Sequence, residues 1–343
     1  MMGLGLVGAL LLAAATPASD LTARLDAAAK QYNAAIPAVA PVTGTDTAAD
    51  YLQRLLDDRE LFPIKDVPDG YTRAQYEQIA GTISELDINV ANQLVHRNYA
   101  RMSDAPGLHE VFVKSTVDGT MQPVAVYVPA AYDRRKPAPL VVFLHGHPQS
   151  ESQLLAPAFI EDLANSTGSI IVAPYGRGYY NFRKAASQDV YDAFDEALRT
   201  FTIDPRKRFL AGYSMGGFSV FEIQAIRHDA WSAVMCISGG LLGPDAPRAV
   251  SALRMTPLYV LTGDNDESID PKYTTESAQY LAMSHIDVTF YDQHDGTHRL
   301  VTLLPILSRA WHDMHDGTVH QMAVTDMPSF NLSFSISEPS FKI

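Results

Sequence analysis

The stretch KRFLAGYSMGGFSVFE, Lys207–Glu222, places a serine, Ser214, where the spacing of apolar residues changes. The apolar run Phe209–Ala211 before the serine is typical of a buried strand. Apolar residues after the serine recur at helical spacing: Met215, Phe218, Phe221 and Ala225. The pattern therefore predicts a strand, a sharp turn at the serine and a helix.

Two glycines, Gly212 and Gly216, lie two residues on either side of Ser214 and complete a G-x-S-x-G motif. Side chains at these positions would obstruct a sharp strand-to-helix turn that holds the serine strained and exposed. A serine at a helix N-terminus is suited to act as a nucleophile, because free amides there stabilise negative charge. A glycine-rich turn with an incidental serine fits the pentapeptide equally well, so partner residues must decide.

A serine hydroxyl is a weak nucleophile and needs a base that a third group orients. When a G-x-S-x-G serine follows a strand of an α/β sheet, the expected chain order is serine, acid, histidine, each after a later strand. Asp266 follows the apolar run PLYVLTG, and His298 follows DVTFYDQHDGT. Asp264 is the rival acid and His294 the rival base, but spacing from the strands favours Asp266 and His298.

A tetrahedral intermediate also needs amide donors for its oxyanion. One predicted donor is the amide of Met215, the residue after the nucleophile. The second is the amide of His147, in the loop after the run PLVVFLHG. Four further residues are candidates to line the substrate pocket, although surface positions suit them equally well: Tyr213, Arg177, Tyr179 and Tyr180.

Apolar runs alternate with helical patterns over most of the chain. Glu110–Lys114 and Pro123–Pro129 predict antiparallel strands. Six later runs are rich in Val, Ile and Leu: PLVVFLHG, SIIVAPYG, RFLAG, WSAVMCISGG, PLYVLTGDND and DVTFYDQHDGTH. Such runs, separated by helices, predict an α/β fold with a mostly parallel central sheet and helices on both faces. Ligands bind such sheets beyond the carboxyl ends of the strands, where these runs converge.

Residues 19–106 predict a helical N-terminal extension. Thr47–Asp50 and Thr72–Gln75 each resemble a capping box that opens a helix. Four prolines are expected to separate the helices: Pro37, Pro41, Pro63 and Pro68. After about Asp316 the rhythm changes, and alternation over residues 332–336 predicts one late strand or a surface tail.

The net charge and the N-terminal segment limit the partners and the location that the protein can have. The formal charge of −13 argues against nucleic acid and against anionic membrane surfaces as partners. Residues 1–18 predict a signal peptide, since an apolar segment is followed by small residues near Ala18. We therefore expect a periplasmic or secreted protein with no integral membrane segment in the mature chain. Cys236, the single cysteine, is predicted to be a small buried hydrophobic residue.

Histidine pairs and an acidic cluster raise the question of a metal. The candidates are His145 with His147, His294 with His298, His312 with His315, and the acids Asp264, Asp266, Glu267 and Asp270. No HExxH motif, paired CxxC or calcium-loop spacing occurs. We expect neither a metal nor another cofactor, and interpret these side chains as solvated loop residues.

Together these motifs resemble the α/β-hydrolase superfamily. The order PVAVYVPAAYDRRKPAPLVVFLHG, APYGRGYYNF and FTIDPRKRFLAGYSMGG is similar to its prolyl-oligopeptidase-like and esterase branch, which includes feruloyl esterases and polyhydroxybutyrate depolymerases. The resemblance covers roughly residues 108–315. It implies a triad of Ser214, Asp266 and His298, with an oxyanion hole at His147 and Met215. The resemblance says little about the first hundred residues or the tail. The sequence patterns together predict four segments: signal peptide 1–18, helical extension 19–106, catalytic domain 107–316 and tail 317–343.

The sequence therefore predicts an exported serine hydrolase that cleaves small-molecule carboxylic esters through an acyl-enzyme. One alternative is a prolyl-oligopeptidase-like serine peptidase acting on short peptides. The exopeptidase members carry a β-propeller ahead of the hydrolase domain, whereas the segment here is short and helical, which favours esters. Another alternative is a non-catalytic binding protein of the same fold, since fold does not imply function.

Overall fold

Eight strands form one sheet in the computed structural model, which describes residues 18–178, 182–243 and 246–322. The strands are β1 (Gly107–Lys114), β2 (Met121–Val128), β3 (Ala138–Leu144), β4 (Ile170–Pro174), β5 (Ile203–Tyr213), β6 (Ala233–Ile237), β7 (Leu258–Gly263) and β8 (Val288–Gln293). Their spatial order is β1-β2-β4-β3-β5-β6-β7-β8. β2 pairs antiparallel with β1 and β4, and all other pairs are parallel. The predicted antiparallel pair and parallel sheet are confirmed.

Helices cover both faces of this sheet. They are α1 (Ala18–Thr43), α2 (Thr45–Leu61), α3 (Arg73–His96), α4 (Glu151–Leu155), α5 (Ala158–Thr167), α6 (Ala185–Thr200), α7 (Met215–Ile226), α8 (Ala246–Leu253), α9 (Pro271–Met283) and α10 (Leu304–Asp316). Alternate residues of β3 enter different cores: Leu140 and Val142 pack with α6 and α7, while Val141 and Phe143 pack with α5 and α10. A strand buried on both faces reads as a continuous apolar run, which explains the sequence pattern.

The N-terminal helices form a third core of their own. Leu25, Tyr32, Tyr51 and Leu55 are fully buried there, together with Phe112 of β1. β1 begins at Gly107, next to the predicted segment boundary. The helical extension is thus present, and it rests on the first strand of the sheet. The division of the chain into the four segments stays a prediction.

Two local predictions in this extension were wrong. Thr72 caps α3 in a capping box with Gln75, as predicted, but Thr47 lies inside α2, which begins at Thr45 after Gly44. Pro37 and Pro41 lie inside α1 and do not separate helices. Proline removes one backbone donor, and the packing of α1 against α2 and α3 outweighs that loss.

Some predictions fall outside the described residues: the signal segment up to residue 17, the pocket candidates Tyr179 and Tyr180, and the late strand at 332–336. Within the described ranges, no helix is both long enough and apolar enough to cross a membrane. Cys236 is fully buried in β6, and burial raises the pKa of its thiol to about 12, so it behaves as a hydrophobic residue.

Candidate active site

Ser214 occupies the turn between β5 and α7 in a strained conformation, with φ of 53° and ψ of −115°. The flanking glycines are required by space. A Cβ atom on Gly212 would lie 2.2 Å from the Gly216 carbonyl oxygen, and one on Gly216 would lie 2.3 Å from the Leu144 carbonyl oxygen. The G-x-S-x-G motif therefore reflects close backbone packing that holds the serine at the end of the strand.

Ser214, His298 and Asp266 form one hydrogen-bonded chain. The Ser214 Oγ lies 2.9 Å from His298 Nε2, and His298 Nδ1 lies 2.8 Å from Asp266 Oδ2. A carboxylate only accepts, so Nδ1 carries the proton and Nε2 is left to accept one from the serine hydroxyl. The three residues follow β5, β7 and β8, whose carboxyl ends share one edge of the sheet. This is the arrangement of a nucleophile, a base and an orienting acid.

The Asp266 carboxylate is built to remain charged. Its side chain is fully buried, and its second oxygen accepts hydrogen bonds from the amides of Ser268 and Ile269 at 3.0 and 2.8 Å. Burial alone would raise the pKa of Asp266, but the hydrogen bonds from His298 and Ile269 outweigh it and lower the pKa. The charge can therefore orient the imidazole and stabilise its protonated form.

Two further residues hold His298, and sequence reasoning missed both roles. The Tyr213 hydroxyl donates to the His298 carbonyl oxygen, and the two rings lie 5.3 Å apart. The Glu267 carboxylate accepts from the His298 amide at 3.1 Å. Tyr213 was predicted to line the pocket, yet its hydroxyl contacts the backbone of the histidine. These contacts join residues 85 and 31 positions apart, so no local pattern could reveal them.

The two predicted oxyanion donors lie on either side of the serine. Met215 is the first residue of α7, where helix amides have no partner within the helix. A Cβ on Gly146 would lie 3.1 Å from the Ser214 Cβ, so the loop that carries His147 runs directly beside the nucleophile. The neighbouring Gly216 amide is already bonded to the His145 carbonyl at 3.1 Å. The geometry thus allows the predicted pair, and the oxyanion role stays a prediction.

The rival pair forms a separate contact. His294 Nδ1 lies 2.8 Å from Asp264 Oδ2, and the His294 side chain is 86% exposed. With Asp295, this pair is the only group of three potential metal ligands that the described ranges bring together, and all three are exposed. No described hydrogen bond joins the pair to Ser214.

Three other side chains that the sequence singled out make contacts that stabilise the fold: Arg177, His145 and His315. The Arg177 guanidinium is bonded to Asp118 and Asp189, at 2.6 and 2.5 Å, and joins the β1–β2 hairpin to α6. The interpretation of all loop histidines as solvated was wrong for two of them. His145 is 1% exposed and His315 is 5% exposed, and burial lowers the pKa of His315 to about 4. Phe182 packs against the His145 ring and Phe209 against the His315 ring, and both contacts join residues far apart in the sequence, which explains the error.

Two known proteins are similar to part of this chain in sequence. No protein-family profile matches the chain. It is 27% identical over 157 residues to a bifunctional acetylxylan esterase/xylanase of Neocallimastix patriciarum, which covers 44% of this chain and 22% of that protein. It is 30% identical over 120 residues to dipeptidyl-peptidase 5 of Porphyromonas endodontalis, covering 31% of this chain and 17% of that protein. The chain thus spans about a fifth of the length of each relative.

Solved structures match the sheet and its helices. The fluorophosphonate-binding serine hydrolase F of Staphylococcus aureus is 16% identical with a TM-score of 0.55, and the match covers 61% of this chain and 99% of that one. A ferulic acid esterase is 18% identical with a TM-score of 0.52, covering 61% and 98%. Strand order, the serine turn and these structures agree: the chain has the fold of the α/β-hydrolase superfamily.

Proposed function

We propose that this protein hydrolyses carboxylic esters through an acyl-enzyme, with Ser214 as nucleophile, His298 as general base and Asp266 as the orienting acid. The observation that carries the proposal is the Ser214–His298–Asp266 chain, whose two contacts measure 2.9 and 2.8 Å. The similarity to part of a relative named as a bifunctional acetylxylan esterase/xylanase supports the ester as the bond that is cleaved.

In the acylation half, the Ser214 hydroxyl oxygen attacks the ester carbonyl carbon while His298 Nε2 takes the hydroxyl proton. The carbonyl oxygen becomes an anion, which the amides of His147 and Met215 stabilise. Removing one such donor typically costs about 3 kcal/mol of transition-state stabilisation. The intermediate collapses by breaking the bond to the alcohol oxygen, which receives the proton from His298.

In the deacylation half, water attacks the acyl carbon and gives a proton to His298 Nε2. The bond from the acyl carbon to Ser214 Oγ then breaks, and the proton returns to the serine. Asp266 keeps its charge in both halves because its hydrogen bonds lower its pKa. Water is the second substrate, and the chain's own residues perform every proton transfer.

The test is kcat/KM of the purified protein on short-chain aryl esters, feruloyl esters and aminoacyl amides, with Ser214→Ala as control. We expect ester turnover, with kcat reduced about 10⁴-fold or more by the substitution. Equal rates for the two proteins would contradict the assignment of the nucleophile. Ligand binding without any turnover would favour the non-catalytic alternative.

A second candidate is a serine peptidase that uses the same three residues on short peptides. The similarity to a protein named dipeptidyl-peptidase 5 favours it, over 120 residues at 30% identity. The same panel decides between the two, since amide turnover above ester turnover would select the peptidase. Ser214→Ala abolishes activity in both cases, so the panel tests the bond and the variant tests the mechanism.

We also propose that the chain is exported and cleaved after about Ala18. The apolar segment and the small residues before that position support the proposal. Mass spectrometry of the protein secreted by its producing cell is expected to give an N-terminus near Ser19. An intact Met1 would contradict it.

A further inference from the structure

The N-terminal helices meet the hydrolase sheet through a buried ionic cluster centred on Arg54 of α2. Its guanidinium donates to the carboxylate of Asp87 in α3, to Glu151 Oε1 at 2.9 Å and to Ser152 Oγ at 2.7 Å. The Arg54 side chain is 9% exposed, and both carboxylates are fully buried. One side chain thus joins the extension to α4, and the proposed mechanism makes no use of it.

The opposite charges of Arg54 and Glu151 stabilise the contact between α2 and α4. Burial would raise the pKa of Glu151, but Arg54 and the Tyr51 hydroxyl, which donates at 2.6 Å, outweigh it and lower the pKa. Glu151 is therefore held as an anion beside the cation. Breaking a buried charge pair leaves an uncompensated charge, so the contact between α2 and α4 resists separation.

The cluster lies at one end of the loop that carries the predicted oxyanion donor. Residues 145–150 connect β3 to α4, and Ser150 caps that helix, with its amide donating to Gln153 Oε1 at 3.0 Å. Glu151 and Ser152, the residues that Arg54 holds, follow immediately. A displacement of α4 would therefore also move the backbone of His147, three residues before the start of the α4 cap at Ser150.

The other end of the loop, at His145, is connected through Tyr175 to α2, the helix that carries Arg54. The buried His145 ring lies 2.9 Å from the Tyr175 carbonyl oxygen, and the Tyr175 hydroxyl donates to Asp50 of α2 at 2.7 Å. Both ends of the loop thus depend on side chains of α2.

We propose that Arg54 is a positioning residue that sets the oxyanion loop, so that the N-terminal helices complete the catalytic site and do not act as a movable lid. The proposal rests on the proposed ester hydrolysis. Small displacements of a catalytic group change rates strongly, and loss of this tie moves an amide donor away from its oxyanion.

The test is the double variant Glu151→Ala/Ser152→Ala, which removes both acceptors that Arg54 has on α4 and keeps the Arg54–Asp87 pair inside the extension. The matched control is Arg24→Ala, which breaks the partly exposed Arg24–Glu85 pair between α1 and α3 and leaves α4 untouched. Rates on an aryl acetate and its thionoacetate are normalised to active sites titrated with a fluorophosphonate. Sulfur is a weak hydrogen-bond acceptor, so the thionoester reports on the oxyanion hole.

We expect kcat on the acetate to fall about tenfold in the double variant, with KM within about twofold, and the acetate preference over the thionoacetate to shrink. Arg24→Ala is expected to keep wild-type kcat. Equal kcat in the double variant and the control, or equal losses on both substrates, would overturn the proposal.

Should the double variant not fold, Arg54→Lys keeps the buried cation but loses the planar fork that reaches Glu151 and Ser152 together, and it is measured in the same way. An unchanged kcat for that variant would overturn the proposal. Failure of the underlying function has a different signature, because wild-type protein would then not turn over the acetate at all.

Discussion

Two histidine–aspartate pairs lie close together after β7 and β8. In each pair Nδ1 is 2.8 Å from a carboxylate oxygen. The His298 and Asp266 side chains are 14% and 0% exposed, whereas those of His294 and Asp264 are 86% and 36% exposed. Contact distance therefore does not distinguish them. Burial does, together with the contact of His298 to Ser214.

The difference matters because water weakens the exposed pair and not the buried one. An exposed ion pair contributes little to stability and is screened by salt. The buried carboxylate is held in place by hydrogen bonds from backbone amides, and little water reaches it to weaken them. Only the buried pair gives an imidazole a defined tautomer and direction.

The largest expected difference is between the two histidines. His298→Asn removes the proton acceptor of Ser214, so kcat is expected to fall about 10⁴-fold to 10⁶-fold on an ester that the wild type cleaves. His294→Asn, the matched control, is expected to stay within about twofold of wild type. A large loss in the control would place the base at His294 and invert the comparison.

The two aspartates are expected to differ somewhat less. Asp266→Asn loses the acceptor that fixes the His298 tautomer, and kcat is expected to fall about 10³-fold to 10⁴-fold. Asp264→Asn should leave steady-state kcat almost unchanged. A loss of less than tenfold in Asp266→Asn, with folding verified by circular dichroism, would show that Asp266 does not orient the base.

Tyr213→Phe sharpens the comparison, since only the buried histidine has a tyrosine hydroxyl on its backbone carbonyl. The variant keeps the ring beside the imidazole and removes one hydrogen bond, which contributes about 1 kcal/mol. We expect kcat to fall about threefold to tenfold, with KM little changed. A rise in KM alone would return Tyr213 to its predicted role in lining the pocket.

The smallest effect concerns protonation of the exposed pair. The hydrogen bond to Asp264, and then the charges of Asp295 and Asp264, raise the pKa of His294 above its ordinary value. A raised folded-state pKa stabilises the fold below the unfolded-state pKa, and that stabilisation is lost as pH rises through the folded value. NMR titration should give His294 a pKa that Asp264→Asn or added salt lowers. A salt-independent pKa would contradict the solvent-exposed description.

Strand positions were predictable because β3, β4, β6 and β7 are buried along their whole length and read as largely continuous apolar runs. Ser214 was equally visible, since Gly212 and Gly216 are required by backbone contacts within the turn itself. Chain order and strand ends also indicated Asp266 and His298. Local sterics and burial leave a pattern in neighbouring residues, and such features can be found from sequence.

Long-range side-chain contacts left no such pattern. Arg54 meets Glu151 across 97 positions, and Tyr213 meets His298 across 85. Pro37 and Pro41 misled the helix prediction because packing of α1 against its neighbours outweighs a missing donor. His315 reads as a polar residue in sequence, yet its ring packs beside Phe209 of β5, a residue far away along the chain.

The most direct test of the central claim, that Ser214 is activated by the buried pair, is covalent labelling with a fluorophosphonate followed by peptide mass spectrometry. The account predicts one adduct, on the peptide that contains Ser214, forming at the wild-type rate in His294→Asn and far more slowly in His298→Asn. An adduct on another residue, or equal labelling rates in the two histidine variants, would contradict it.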